Sequence, residues 1–245
     1  YCDNLEKLTI EHGVKTIGGY AFYDCDKLTE IVIPGSVKLD FYTYDVFSNC
    51  SSLVNLYLPN VTSVTKSAFK DSSIELLRFE KIETIRNLPS TLQALILPST
   101  VNSVSASTPA TDYVVYGFEG TFAQQYATDV GKRFEPVPAI YHETSDRVSA
   151  DERFIIAYVI GFNCTYQWYR NDTVSNVGGT PIEGAFRFFY EPSPEDDCAA
   201  YYCVITSYDG TNVGTTVTEP MPNAPEYRAA DYTEYNKLVE EINAL

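Results

Sequence analysis

The first half of the chain repeats a short pattern of apolar and polar positions. Each repeat contains a Leu-x-x-Leu-x-Leu step whose last three positions alternate, which predicts a short strand with residues such as Ile31 and Ile33 pointing inward. The step occurs at Leu5/Leu8/Ile10, Leu28/Ile31/Ile33, Leu53/Leu56/Leu58, Ile74/Leu77/Phe79 and Leu92/Leu95/Leu97. Such a repeat predicts a solenoid of stacked coils, which presents a surface rather than a catalytic pocket.

A second apolar step and two recurring residue types complete the repeat. A Val/Ile-x-x-Val/Ile step recurs at Val14/Ile17, Val61/Val64, Ile82/Ile85 and Val101/Val104. Pro34, Pro59 and Pro98 end the strand at the same point each time, because proline cannot continue a strand ladder. Phenylalanine is expected to fill the interior on the opposite side of the coil, at Phe22, Phe47 and Phe69.

This strand register predicts an outward face with two columns of side chains. The middle column reads Thr9, Val32, Tyr57, Arg78, Ile96 and Val114. The flanking column reads Lys7, Glu30, Asn55, Leu76, Ala94 and Asp112. An exposed apolar stripe with Tyr and Arg at its centre has the composition of a binding hot spot, although ordinary strand formers on a solvated sheet would look the same. The candidate partner-binding face comprises Val32, Tyr57, Arg78, Ile96, Leu76, Glu30 and Asn55.

Three cysteines occupy the same place in successive repeats. Cys2, Cys25 and Cys50 are spaced 23 and 25 residues apart, so stacking of the coils predicts a buried column of small side chains. The chain has no Cys-x-x-Cys motif, and a zinc site is therefore not indicated. We expect packing thiols rather than metal ligands, and we expect no metal or cofactor site elsewhere.

The motif Ala/Val-Phe-x-x-Cys-x-x-Leu-x-x-Ile/Leu-x-Ile/Leu-Pro resembles the BspA-like class of bacterial leucine-rich repeats. The unit from Val37 to Tyr44 departs from it, with Asp40 in place of an aliphatic residue. The unit from Ile82 lacks the Ala-Phe-Cys segment, so the coil should be narrower there. The resemblance also implies a cap in which a strand, a Gly-x-x-Gly turn, a short helix near 122–130 and a last strand close the solenoid.

The pattern changes after Pro136-Val-Pro138. The segments Tyr166-Gln-Trp168 and Asp197-x-Ala199-x-Tyr201-x-Cys203 are similar to the immunoglobulin fold, in which the Tyr forms a corner and the Trp is buried. The fold's partner cysteine is replaced by Ala157, so the resemblance implies no bridge and a Cys203 buried against Ala157 and Trp168. Antiparallel pairing would place the remaining Cys164 and Cys198 at opposite ends of the sheet, so we expect six free thiols. Strands are predicted at 145–148, 153–160, 164–170, 180–183, 185–190, 199–207 and 212–219.

The predicted fold is mainly β: a capped leucine-rich-repeat solenoid at 1–137, an immunoglobulin-like β-sandwich at 138–222, and a linker with an amphipathic helix at 223–245. The helix is indicated by a capping box, Asp231-Tyr-Thr-Glu234, followed by one apolar face. The solenoid begins within a repeat and the helix is the last element, so we expect the sequence to be part of a longer protein.

Composition narrows the function classes. The 245 residues carry a net charge of −16, which argues against nucleic acids and anionic membranes as partners, and no apolar run is long enough to span a bilayer. Twenty tyrosines suit a recognition surface. The two histidines, His12 and His142, lie in no recognisable catalytic motif, and no Gly-rich phosphate loop is present. We therefore expect no catalytic residues and no enzyme activity.

These features predict a non-enzymatic bacterial protein, secreted or on the cell surface, whose solenoid binds a protein or glycan of a host or neighbouring cell. The resemblance implies adhesion, but it does not carry over a particular ligand. Two alternatives stay open: a structural stalk, and a carbohydrate-binding accessory region of a larger enzyme. We expect an extracellular monomer that does not insert into a membrane.

Overall fold

The computed structural model describes residues 2, 4–39, 45–147, 153–193 and 196–223. The described residues form two compact units, one ending at Glu135 and the other beginning at Pro136. The sequence placed this boundary between residues 137 and 138. Residues 40–44 of the unit from Val37 to Tyr44 lie outside the described residues. Residues 224–245, where the amphipathic helix was predicted, also lie outside them.

The first unit is a β-solenoid of about six coils closed by a short helix. Its elements are β1 Lys7–Thr9, β2 Thr16–Ile17, β3 Glu30–Val32, β4 Lys38–Leu39, β5 Asn55–Leu58, β6 Ser63–Val64, β7 Leu76–Phe79, β8 Thr84–Ile85, β9 Ala94–Ile96, β10 Ser103–Val104, β11 Val114–Gly117, α1 Phe122–Asp129 and β12 Arg133–Pro136.

The strands form two ladders on different sides of the coils. The main ladder contains the pair β1-β3 and the five-stranded sheet β12-β11-β9-β7-β5. The second ladder contains β2-β4 and β10-β8-β6. The coil-to-coil pairs within both ladders are parallel, as expected for successive turns of a solenoid. The two apolar steps of the repeat therefore correspond to the two ladders.

The interior is filled by the residues that the repeat predicted to point inward. Leu53, Leu56 and Leu58 of one coil are each at most 1% exposed, and the equivalent positions of the neighbouring coils join the same cluster. On the opposite side, the rings of Phe22 and Phe47 stack with their centroids 5.3 Å apart. The predicted inward and phenylalanine positions are confirmed.

Left-handed residues turn the chain beside each phenylalanine. Asp24, Asn49 and Asp71 occupy equivalent places and have φ values of 58°, 60° and 54°. Asp and Asn tolerate this conformation better than most side chains, because they are short and can hydrogen-bond locally. Asn49 Nδ2 also donates to Asp24 Oδ1 at 2.6 Å, which links two successive coils.

The coil that lacks the Ala-Phe-Cys segment is shorter than its neighbours. Leu76 pairs with Ala94, 18 residues later, whereas Lys7 pairs with Glu30, 23 residues later. The prediction of a smaller coil after Ile82 is therefore confirmed. The missing segment leaves room for one side chain, and the carboxamide of Asn87 accepts a hydrogen bond from the Phe69 amide at 2.8 Å.

A cap closes the last coil. Helix α1 covers the end of the core with Ala123, Tyr126 and Ala127, and β12 extends the main ladder beyond β11. The hydroxyl groups of Tyr113 and Tyr126 lie 2.7 Å apart inside the cap. The predicted helix near 122–130 and the last strand are confirmed. The cap covers the core and the strand edge that the terminal coil would otherwise expose.

The second unit contains two antiparallel sheets. Its strands are β13 Ala139–Arg147, β14 Arg153–Ile160, β15 Thr165–Asn171, β16 Thr180–Pro181, β17 Phe189–Tyr190, β18 Ala200–Tyr208, β19 Val213–Val217 and β20 Met221–Pro222. One sheet has the order β13-β14-β17. The other has the order β16-β15-β18-β19, with β20 also paired to β18.

Residues of both sheets share one core. Ala157 from β14 joins Trp168 from β15 and Cys203 from β18, and all three are fully buried. Trp168 donates its indole N–H to the carbonyl of Arg187 at 2.9 Å. Tyr201 donates its hydroxyl to Asp196 Oδ2 at 2.8 Å, so it ties the start of β18 to a side chain upstream.

Two predicted strands are shorter than expected. The segment predicted at 180–183 is a strand only at Thr180–Pro181, and that at 185–190 only at Phe189–Tyr190. A turn separates them, in which the amide of Ala185 donates to the carbonyl of Ile182 and Gly184 has a φ of 78°. The apolar residues around this turn gave it a strand-like pattern, and Ile182 and Ala185 do bond to the backbone of Trp168, but the turn between them interrupts the strand.

Candidate functional site

The outward side chains of the main ladder form the outer face, which has two columns. Strand register fixes the columns within β1-β3 and within β5-β7-β9-β11, and the repeat aligns these two groups of strands. The middle column is Thr9, Val32, Tyr57, Arg78, Ile96 and Tyr116. The flanking column is Lys7, Glu30, Asn55, Leu76, Ala94 and Val114. Within β5, β7 and β9 the register aligns Tyr57, Arg78 and Ile96 in one row, and it aligns Asn55 and Leu76 in the other.

The last strand corrects the sequence prediction. Val114 pairs with Ala94 and lies in the flanking column, whereas Tyr116 pairs with Ile96 and occupies the middle column. The predicted flanking residue, Asp112, lies before the strand. A shift of two residues keeps every inward side chain inward, so the apolar pattern alone could not distinguish the two registers. The shift adds a tyrosine that sequence reasoning missed.

Burial along the face is uneven. Val32 is 40% exposed, and the other predicted residues except Ile96 are half-buried: Glu30, Asn55, Tyr57, Leu76 and Arg78. Ile96 is fully buried, which contradicts its prediction as an exposed residue. In the ladder it lies between Arg78 and Tyr116 of the neighbouring strands.

Arg78 is the centre of a three-residue contact. Its guanidinium carbon lies 5.0 Å from the centroid of the Tyr57 ring, which is the geometry of a cation–π interaction. Its Nη2 atom lies 3.9 Å from Glu80 Oε1, and the Tyr57 hydroxyl donates to Glu80 as well. Burial, and then Glu80, raise the pKa of Tyr57 above its ordinary value, so the phenol stays protonated.

A second charged contact lies at the cap end of the same column. Tyr116 hydrogen-bonds to Arg133, whose Nε atom is 3.3 Å from Glu135 Oε1. Burial raises the pKa of Tyr116 against the opposing effect of Arg133. Both tyrosines of the column are therefore neutral hydrogen-bonding groups with a cation and a carboxylate beside them.

The cysteine column is buried except at its first member. Cys25 and Cys50 are 1% and 0% exposed, and Cys50 Sγ donates to the carbonyl of Phe22 at 3.1 Å. Cys2 is exposed, contrary to the prediction. Burial raises the pKa of Cys50 to about 12, which leaves the thiol neutral.

All six cysteines lie in the described part of the chain, and each is a free thiol. Across the residues that the structure describes, no group of three or more His, Cys, Asp or Glu side chains could hold a metal ion. His12 is exposed and forms an isolated β-bridge with Val14, and His142 lies in β13. Neither histidine belongs to the outer face.

Comparison with known families decides the nature of the repeat. Residues 1–89 match the family model described as BspA type Leucine rich repeat region, in six copies. The repeat in these residues is similar to that family. No curated protein matches the chain. The main ladder continues beyond the matched residues through β9, β11 and β12, so the outer face extends past the family match.

Within the ranges that the structure describes, no helix combines the length and apolar character needed to cross a membrane.

Proposed function

We propose that the solenoid belongs to a non-enzymatic bacterial protein, secreted or on the cell surface, and binds a protein or glycan through the outer face. One observation carries the proposal: Tyr57, Arg78 and Tyr116 lie in one column, spanning four strands of a rigid ladder. Tyrosine and arginine are among the residues enriched at binding hot spots. Solenoids use such stacked strands as extended recognition surfaces.

The contacts within the face support binding because they hold its long side chains in place. Arg78 is stacked on Tyr57 and lies beside Glu80, and Tyr116 is held by Arg133. Binding costs less conformational entropy when the side chains of the face are already ordered than when the ligand must order them. Buried Ile96 supports the face from the middle of the column instead of contacting a ligand directly.

For the second unit we propose an immunoglobulin-like sandwich that acts as a spacer for the solenoid. The shared core of Ala157, Trp168 and Cys203 supports this assignment, since it joins two antiparallel sheets around a buried Trp. The bond from Tyr201 to Asp196 resembles a tyrosine corner, although the acceptor is a side chain. An experimental structure with a different sheet order would overturn the assignment.

The test is a binding screen of the whole chain against arrays of host matrix proteins and glycans. Ligands that bind are then measured against Tyr57→Ala and Arg78→Ala, each of which we expect to weaken binding about tenfold or more. Thr84→Ala, on the second ladder, is the matched control and should bind like the wild type. Circular dichroism verifies that each variant is folded.

Two results would contradict the proposal. The first is the combination of two observations: the screen finds no ligand, and the full-length gene encodes a catalytic domain. That combination favours an accessory region of an enzyme. The other is a ligand whose affinity is unchanged by both outer-face variants, or reduced equally by Thr84→Ala. Binding of glycans alone would narrow the ligand class and keep the outer face as its site.

A further inference from the structure

Strand β19 forms an edge of the larger sheet in the second unit, and no charge or proline lies within its five residues, although a one-residue bulge that contains Pro220 follows it before β20. Its sequence is Val-Gly-Thr-Thr-Val, without charge or proline, although 20% of the chain is charged. Natural proteins protect sheet edges with charged residues, prolines or bulges, because unpaired backbone groups accept foreign strands. An edge strand without charge or proline in such an acidic chain therefore indicates a place where another strand is added.

The backbone groups at this edge can be assigned from the bonds at each end of β19. The amide of Thr218 donates to the carbonyl of Cys203, and the carbonyl of Asn212 accepts from the amide of Asp209. Backbone direction alternates along a strand, so the even-numbered residues bond toward β18. Val213, Thr215 and Val217 then direct their N–H and C=O groups to the edge, where no strand of the described ranges pairs with them.

The side chains of the same three residues are exposed and symmetric. Val213 is 64% exposed and Val217 is 37% exposed, with exposed Thr215 midway between them. On the other side of β19 the backbone carbonyl of Val137 lies against Gly214, leaving no space for a Cβ atom there. One side of the strand is therefore packed within the unit, while the edge and the outer surface are open.

We propose that β19 pairs antiparallel with β19 of a second copy of this chain, about a two-fold axis at Thr215. In this register Val213 faces Val217 of the other copy, and the two Thr215 residues face each other. A two-fold contact requires this self-complementarity, and pairs of β-branched residues and threonines are favourable across strands. About six backbone hydrogen bonds would form, two for each directly bonded residue pair.

The exposed surface beside β19 would continue across the junction. Tyr208 pairs with Val213, and Thr206 pairs with Thr215, so each row of side chains is extended by the matching row of the second copy. The acidic residues at the ends of β19 do not oppose each other: Glu219 would lie opposite Thr211, and Asp209 would lie beyond it. The net charge of −16 on each copy still opposes association, so added salt should strengthen the dimer.

The experiment is analytical ultracentrifugation of the whole 245-residue chain from micromolar to millimolar concentration. We expect a reversible dimer, which replaces the sequence-based expectation of a monomer, because one strand is a small contact. Thr215→Pro removes an edge-facing N–H without breaking the bonds to β18, and Thr215→Lys adds charge to the edge. Both should raise the dissociation constant about tenfold or more.

Thr165→Lys is the matched control. Thr165 lies in the same row of the sheet as Thr215, two strands away, and is also exposed. It should dimerise like the wild type. A wild-type chain that stays monomeric throughout the range would overturn the proposal, as would a dimer that Thr215→Pro and Thr215→Lys leave unchanged.

Disulfide cross-linking tests the register. In a background with Cys2→Ser, Thr215→Cys should form covalent dimers under oxidised glutathione, because each introduced thiol faces its own copy. Val213→Cys should cross-link much more slowly, since its opposite residue is Val217. Equal rates for the two variants would overturn the two-fold axis at Thr215.

Discussion

The side-chain oxygen of Asn87 accepts a hydrogen bond from the backbone amide of Phe69 at 2.8 Å. In the two preceding coils the equivalent amides, of Phe22 and Phe47, donate to backbone carbonyls of the next coil at 3.1 and 3.0 Å. The coil containing Asn87 lacks the segment that would supply this carbonyl. One carboxamide therefore replaces a missing piece of backbone and keeps the phenylalanine turn bonded to the next coil.

Asn87→Ala should lower the free energy of unfolding by about 1–2 kcal/mol, because it removes an acceptor from a part-buried amide. Asn87→Asp keeps an oxygen in the same place and should cost less. Urea unfolding followed by far-ultraviolet circular dichroism measures both changes. Equal losses for the two variants would show that the side chain acts by packing rather than as an acceptor.

The shortened coil illustrates how far the sequence leads. The absence of an Ala-Phe-Cys segment after Ile82 is visible in the repeat, so the smaller coil could be predicted. The function of Asn87 could not, because its partner Phe69 lies 18 residues away and polar residues in turns are common. The same applies to β11, where period-two alternation fixes the inward face but not a shift of two residues.

Asp24 and Asn49 form the second relationship that can be tested. Both residues have left-handed backbone conformations, and the side-chain Nδ2 of Asn49 donates to Oδ1 of Asp24 at 2.6 Å. Asn49→Asp would place two carboxylates at this distance, and their repulsion should lower stability at neutral pH by about 1–2 kcal/mol relative to Asn49→Gly. Thermal melts across pH measure the difference.

The sign of the pH dependence follows from the repulsion. In the folded state of Asn49→Asp the repulsion raises the pKa of one of the two carboxyls, so the penalty is fully present above that raised pKa and is lost progressively as the pH falls from it to the ordinary pKa of Asp. Asn49→Gly also tolerates the left-handed conformation and loses the hydrogen bond, but it adds no charge. Parallel pH profiles for these two variants would contradict the assignment of repulsion.

Gly117 is the glycine on which the cap depends. A Cβ atom there would lie 2.6 Å from the Ala123 side chain and 3.2 Å from the Leu97 carbonyl. Gly117→Ala should therefore displace α1 and cost about 1–3 kcal/mol in urea unfolding. Gly18→Ala is the control, since no atom lies within 4 Å of its added Cβ, and it should change stability by less than about 0.5 kcal/mol.

The outer face was predictable in its direction but not in its exposure. Alternation along each strand separates inward Leu77 from outward Arg78, and the structure has both as expected. The burial of Ile96 depends on what packs over it from outside its own strand, which the pattern of one strand does not contain. Contacts such as that between Tyr57 and Glu80 likewise arise from stacking across coils.

Thiol reactivity should distinguish the first cysteine of the column from the others. Cys2 is exposed, whereas Cys25 and Cys50 are buried and burial raises the pKa of both thiols. A thiol reagent at neutral pH should label Cys2 within the mixing time and the two buried residues only on unfolding. Mass spectrometry of tryptic peptides measures each site. Rapid labelling of Cys50 in the folded chain would contradict its burial.

Alkaline pH should destabilise the chain through the same buried thiols. Burial raises the pKa of Cys50 and of Cys203 to about 12, from an ordinary value of 9.0. Between these values the unfolded chain releases a proton that the folded chain retains. Each thiol therefore lowers the free energy of unfolding by about 1.4 kcal/mol per pH unit, and this stability is fully present only below pH 9.

The matched variant is Cys50→Ala, which should be less stable than the wild type at neutral pH because a buried sulfur is lost. Its stability should nevertheless fall less steeply above about pH 9, because one of the buried thiols no longer ionises on unfolding. Urea unfolding at neutral pH and at about pH 10 measures both slopes. Tyrosines such as Tyr57 contribute equally to the two proteins, so the difference between the slopes isolates Cys50. Identical slopes would mean that this thiol ionises as readily in the folded chain as in the unfolded one.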